Sequence, residues 1–125
     1  MIKLEKDNKI IICNYNPKEN GIYKITFITS ERLRVYIGKT ERTFDKRVKE
    51  HINACIKGCH KGSFQNAWNE ATKIVIEVVE RLDNREGVNY KKIETQWINT
   101  YEICNLVNDI TSYADFFKKR NNASN

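Results

Sequence analysis

The chain has 125 residues, 40% of them hydrophobic and 30% charged, which suits one globular domain and excludes a disordered, charge-dominated chain. No apolar run approaches the length of a membrane span, and the opening "MIKLEKDNK" lacks an apolar signal core, so a cytoplasmic protein is expected. A net charge of +6 and a pI of about 9.2 favour a polyanionic partner, with nucleic acid the commonest in a cell.

Residues 1–19 read as an extension, in which "KIIICNY" (9–15) suits an extra edge strand and "NPKENG" (16–21) is turn chemistry. Two strands follow at 21–28 and 33–38, joined by "TSER". Gly21 and Gly38 bracket this hairpin, with Tyr23 and Tyr36 beside them. If both tyrosines share one face, Ile22, Lys24 and Thr26 share the other. That face then needs a bulge, or polar side chains that reach the sheet edge.

A helix is expected from Thr43, the N-cap, with Asp45 in its first turn and Phe44, Val48, Ile52 and Cys55 toward the core. Glycines in "KGCHKG" interrupt it. The C-x3-C-H cluster in "CIKGCH" has no second paired ligand set, which argues against zinc and for reduced thiols. A short helix is expected at 64–70, and the β-branched "KIVIEVVERL" (73–82) reads as a central strand. After the turn "DNREG" comes a helix at 88–101, an extended "NLVND" (105–109), and a last short helix in "SYADFFKKR" before a polar tail at the end of 111–125. The expectation is one α+β domain spanning 1–125, its core at about 20–110. It has a small three-stranded antiparallel sheet flanked by helices, in the order β-β-α-α-β-α.

Two features do not fit a plain amphipathic scheme. Tyr90, Ile93, Trp97, Ile98 and Tyr101 form an apolar helical stripe, and Glu94 falls inside it. A carboxylate there is costly unless it is paired, hydrogen-bonded or metal-bound. A salt bridge to a lysine at the helix edge would explain it, and so would a view into a cleft. Arg47 and His51, four residues apart, run along the edge of the first helix's stripe. Either they point toward the sheet, or they snorkel into solvent.

Together these residues resemble the GIY-YIG nuclease family, and the catalytic domains of phage-type homing endonucleases in particular. The naming motifs stand as Gly21-Ile22-Tyr23 and Tyr36-Ile37-Gly38, and the family's Arg-x-x-x-His as Arg47 and His51. "KGCH" is similar to the corresponding homing-enzyme segment and brings in His60. The family's metal-binding glutamate falls on Glu94 and its late asparagine on Asn108. Twelve residues separate Tyr23 from Tyr36, more than is usual in the family, and the stretch from Tyr36 to Arg47 is also long.

The resemblance implies a DNA endonuclease leaving 5′-phosphate and 3′-hydroxyl ends. Tyr23 would activate water with help from Lys39, the cation or His51, and Tyr36 would orient water or phosphate. Arg47 would contact the phosphate and Glu94 would hold one Mg2+, for which Mn2+ substitutes. His60 and Asn108 would support. The bracketing glycines would keep the strand ends clear for a nucleic-acid backbone. Lys39, Arg42, Lys46, Lys49, Lys57 and Lys61 are candidate phosphate contacts, as are the cations at 118–120. DNA is the expected partner, with no small-molecule cofactor, and a homodimer or targeting partner would allow double-strand cleavage. The alternative is a nucleic-acid-binding module without catalysis.

Overall fold

The computed structural model describes residues 1–60 and 62–108. Five strands precede or alternate with three helices: β1 (Ile2–Lys6), β2 (Lys9–Asn14), β3 (Gly21–Ile28), β4 (Leu33–Thr40), α1 (Phe44–Ile56), α2 (Gly62–Glu70), β5 (Lys73–Arg81) and α3 (Tyr90–Ile98). A short 3₁₀ turn, Ile103–Asn105, follows. The α+β class holds, but the sheet is five-stranded and mixed rather than three-stranded and antiparallel. Its order is β1-β2-β5-β3-β4, with β2 parallel to β5 and every other pair antiparallel. The expected β-β-α-α-β-α order survives within it, preceded by two further strands.

The "KIIICNY" strand is therefore internal, covered on one side by β1 and on the other by β5. Asp7 and Asn8, both at positive φ (55° and 61°), make the tight turn between β1 and β2, as short Asx side chains tolerate that region. Three contacts fix the hairpin to the end of α2. Trp68 Nε1–H donates to Asp7 Oδ2 at 2.9 Å, Lys9 Nζ donates to Ala71 O at 2.8 Å, and Ile10 N–H donates to Thr72 O at 3.2 Å.

The sheet buries both faces. Tyr23, Ile25 and Phe27 of β3 join Ile74 and Ile76 of β5 beneath Phe44, Val48 and Ile52 of α1 and Phe64 and Trp68 of α2. On the other face Ile22, Val35 and Ile37 meet Tyr90 and Ile98 of α3. The α1 stripe is as expected: Phe44, Val48, Ile52 and Cys55 are all buried, and the Thr43 side chain accepts the Lys46 N–H at 3.3 Å.

The Ile22–Lys24–Thr26 face is resolved by partial cover. Alternation is unbroken along β3, and α3 covers the face at the Ile22 end. Lys24 and Thr26 stand half-buried beyond it, with Lys24 Nζ 3.9 Å from Glu77 Oε1. A bulge exists on β5, where register shifts between Ile22 and Tyr23. Its unpaired residue, Val79, packs in the α3 cluster, and past it Glu80 Oε1 accepts Trp97 Nε1–H at 2.9 Å. Helix α3 is shorter than the expected 88–101, because the Asn89 side chain caps it by accepting the Lys92 N–H. The extended "NLVND" begins inside the 3₁₀ turn, then Leu106 bridges to Val35 in parallel. The last expected helix, the tail cations at 118–120 and Lys61 lie outside the described residues.

Candidate active site

Tyr23 and Gly38 face each other in the β3–β4 register. A Cβ at position 38 would lie 2.7 Å from Tyr23 Cε2 and closer still to the phenol end of the ring. The glycine is thus the floor on which the tyrosine lies. Gly21 sits at φ 143°, where a Cβ would come within 2.8 Å of Leu82 N on the chain leaving β5. The expectation that these glycines leave room for a nucleic-acid backbone is corrected: protein atoms already fill both spaces.

Laid on Gly38, the Tyr23 ring is 1% exposed, and its hydroxyl is 2.7 Å from His51 Nε2. His51 comes from the buried edge of α1 and is 3% exposed. Its other nitrogen, Nδ1, is 2.9 Å from His60 Nε2. Phe64 of α2 stacks on both imidazoles, 3.8 Å from His60 and 4.8 Å from His51 between ring centroids. Tyr36 packs edge-on to His51 and Phe64 at 5.5 and 4.9 Å, beside Tyr23 at 6.2 Å.

One turn before His51, Arg47 brings its guanidinium close enough to both phenols to favour their charged forms. It is not a snorkelling border residue: the two side chains of the Arg-x-x-x-His pair converge on the tyrosines. Glu50 ties Arg47 to the next cation, with its Oε1 3.6 Å from Arg47 Nη1 and also paired with Arg42 Nη2.

Electrostatics follow from burial. Desolvation pushes the Tyr23 hydroxyl well above its ordinary 10; Tyr36 adds to this and Arg47 opposes it. Tyr36 is raised as well, chiefly by burial, with Arg47 opposing and Glu94 reinforcing. His51 drops to about 3, because burial, the Arg47 cation and then His60 disfavour its charged form. At neutral pH the cluster therefore holds two neutral phenols, a neutral imidazole and one guanidinium.

Glu94 approaches from α3, which packs on β4 and β3. It is 6% exposed, and its charge reaches Tyr36. Lys91 Nζ lies 3.7 Å from its Oε1, so the expected lysine pairing is present, on a side chain half open to water. Among the described residues no group of three or more His, Cys, Asp or Glu gathers to cage a metal ion.

Asn108 holds the edge of β4. Its Oδ1 accepts Ile37 N–H at 2.9 Å, and its Nδ2 donates to Ile37 O at 2.6 Å. Val107 N–H extends the contact to Val35 O at 2.7 Å. Lys39 pairs with Ile22 in register, so alternation directs it to the α3 face, opposite Tyr23. Lys46, Lys49 and Lys57 are exposed along α1 or its C-cap, and Arg42 is exposed just before it; Lys49 is paired with Asp45 at 2.9 Å.

Sequence reasoning missed three residues of this site. Phe64 reads as an ordinary core aromatic, and Glu50 as a surface acid. Gln65 carries no motif, yet its Oε1 accepts the His60 backbone N–H at 3.1 Å and its Nε2 donates to Cys55 O at 3.1 Å. A glutamate three residues after an arginine on one helix was the available signal for Glu50.

Compared with known families, residues 19–108 match the model of the GIY-YIG catalytic domain. No curated protein and no solved structure gives a match.

Proposed function

Since this chain belongs to the GIY-YIG catalytic-domain family, and so is a nuclease domain acting on DNA, we propose a metal-assisted phosphodiester hydrolysis centred on Tyr23. The observation that carries the reading is the buried 2.7 Å contact between Tyr23 Oη and His51 Nε2, with Arg47 against the same hydroxyl. A phenol raised above its ordinary range is no standing phenolate. It serves as a base only by passing its own proton on as it takes one from the attacking water. His51, neutral and in contact, is positioned to receive it.

Arg47, beside both phenols, offers its planar fork to the non-bridging phosphate oxygens of bound DNA. Tyr36, between Tyr23 and the Glu94 field, orients water or phosphate. The exposed cations Arg42, Lys46, Lys49 and Lys57 hold the flanking backbone, which positions DNA without reading its sequence. Asn108 fixes the strand that bears Tyr36.

A single buried carboxylate suits Mg2+, which keeps several waters and takes few protein oxygens, and the donor set is also open to Mn2+. Glu94 would hold the ion. When bound, it supplies stabilisation of the charge developing at the phosphate and the leaving 3′ oxygen.

The test is supercoiled plasmid incubated with the protein in Mg2+ or EDTA, beside Glu94→Ala. The expected result is metal-dependent nicking or linearisation that leaves 5′-phosphate ends and vanishes in a folded Glu94→Ala variant. DNA binding without cleavage on plasmid and on branched duplexes would overturn it and leave a binding module.

A further inference from the structure

His51 poses a problem that Tyr23 alone does not resolve. It receives a proton at Nε2, yet its burial and the guanidinium of Arg47 one turn away make it a poor place to keep one. The second imidazole removes the difficulty. His60 Nε2 is 2.9 Å from His51 Nδ1, on the side away from Tyr23, and His60 is half-buried rather than sealed.

His60 is held for this contact from two sides. The Phe64 ring lies 6° from parallel with it at 3.8 Å. Gln65 takes its backbone N–H at 3.1 Å. Gln65 itself is tied to α1 through Cys55 O at 3.1 Å and to Asn69 Oδ1 at 2.9 Å. Such a clamp on a residue between two helices fixes a ring orientation, not merely a chain path.

We propose that His60 is a positioning residue that locks His51 in its Nδ1–H tautomer and takes the proton His51 passes on. The Tyr23 hydroxyl makes its 2.7 Å contact with His51 Nε2, and an imidazole nitrogen is a more basic acceptor than the oxygen of the neighbouring Tyr36 phenol. Arg47 has only donors, so its guanidinium near Tyr23 can face only a lone pair, which leaves the hydroxyl proton free to point along the 2.7 Å contact to Nε2. His51 then has Nε2 as acceptor and carries its one hydrogen on Nδ1, aimed at His60 Nε2.

The step balances. The attacking water forms its bond to phosphorus and gives a proton to Tyr23 Oη. The Tyr23 hydroxyl proton moves to His51 Nε2, and the His51 Nδ1 proton moves to His60 Nε2. The P–O3′ bond breaks with its electron pair on the 3′ oxygen, which takes a proton from solvent. The relay resets in reverse once the products leave: the His60 Nε2 proton returns to His51 Nδ1, the His51 Nε2 proton to Tyr23 Oη, and the proton taken from water goes to solvent.

This role rests on the nuclease reading above, so the test needs one arm independent of cleavage. The chain contains only two histidines, and long-range ¹⁵N–¹H spectra of the full-length protein at neutral pH report each tautomer. His51 is expected to carry hydrogen on Nδ1, and His60→Ala, which leaves only the Tyr23 hydroxyl to set the tautomer, is expected to weaken that bias. In the kinetic arm, His60→Gln retains an acceptor for the Nδ1–H but cannot take the proton. Its kcat should fall by at least about tenfold, part of the roughly 10²–10⁴ that a positioned proton acceptor contributes, with KM for DNA unchanged. Added imidazole should restore part of the rate in His60→Ala and none in Glu94→Ala.

Hydrogen on His51 Nε2 in the native protein, with cleavage intact, would overturn the relay alone. So would His60→Gln cleaving at the native rate, which would make the clamp structural. A native protein that cleaves nothing while showing the Nδ1–H tautomer would overturn the nuclease reading, and the relay with it.

Discussion

Gly38→Ala adds one methyl group at the floor of the site. The new Cβ would stand 2.7 Å from Tyr23 Cε2. Carbon atoms settle at about 3.5–4.0 Å, so the overlap is about 1 Å. The ring has little freedom to retreat: it is 1% exposed, with Phe44 at 6.3 Å, Tyr36 at 6.2 Å and His51 at 5.9 Å between ring centroids. Moving it by about 1 Å would stretch the 2.7 Å hydroxyl contact with His51 beyond hydrogen-bond range.

Overpacking of this kind costs about 1–3 kcal/mol, or a Tm lower by about 3–15 °C for a chain of this size. A misplacement of that size at reacting groups can cost about a hundredfold in rate. Gly87→Ala is the control. Gly87 has φ 77° and open space around its Cβ, so it should lose about 1–2 kcal/mol through backbone strain alone. Circular-dichroism melts and single-turnover cleavage of a labelled duplex read both effects. The expected result is lower Tm in both variants and a lost rate only in Gly38→Ala. A native rate in Gly38→Ala, or equal rate losses in the two, would refute the reasoning.

Asn108→Asp should destabilise the edge of β4 by about 1–3 kcal/mol. The carboxylate still accepts Ile37 N–H, but it faces Ile37 O without a hydrogen to donate; urea melts of the variant against Asn108→Ala measure this. Acid should weaken the fold through His51. Its folded value of about 3 lies below the ordinary 6.5, so between them the unfolded chain holds a proton the folded residue lacks. That contribution is complete above pH 6.5 and is lost as pH falls toward 3, by at most about 1.4 kcal/mol per pH unit. Urea melts between about pH 5 and 7 should therefore show a shallower pH slope in His51→Gln than in the native chain.

Local chemistry made much of this fold legible. The α1 stripe, its Thr43 cap and the hairpin of β3 and β4 follow from spacing and turn residues. Strand β1 escapes a sequence reading because three of the five residues of "IKLEK" are charged and it sits on an edge, where few side chains need burial. The signal for it was the Asp7-Asn8 pair, two residues able to take the left-handed turn. The parallel pairing of β2 with β5 joins Ile11 to Ile74, and nothing local in either strand encodes a partner that distant in sequence.

The site divides in the same way. Glu94 stands out as a charge inside a stripe meant for burial, and Arg47 and His51 as polar residues along the edge of one; His51 and Glu94 are buried, and Arg47 lies beside the two phenols. The motif glycines were misread because their purpose depends on where the Tyr23 ring and the β5 backbone lie, which is a tertiary fact. The contact of His51 with His60 likewise depends on how Phe64 and Gln65 of the next helix hold the intervening turn.

The most direct test of the account is Tyr23→Phe, which removes one hydroxyl and keeps the ring on Gly38. Single-turnover cleavage in Mg2+ and equilibrium DNA binding would be measured on the same duplex. The rate should fall by about 10²–10⁴ with binding unchanged. A Tyr23→Phe protein that cleaves at the native rate would contradict it, and the base would have to be sought elsewhere in the cluster.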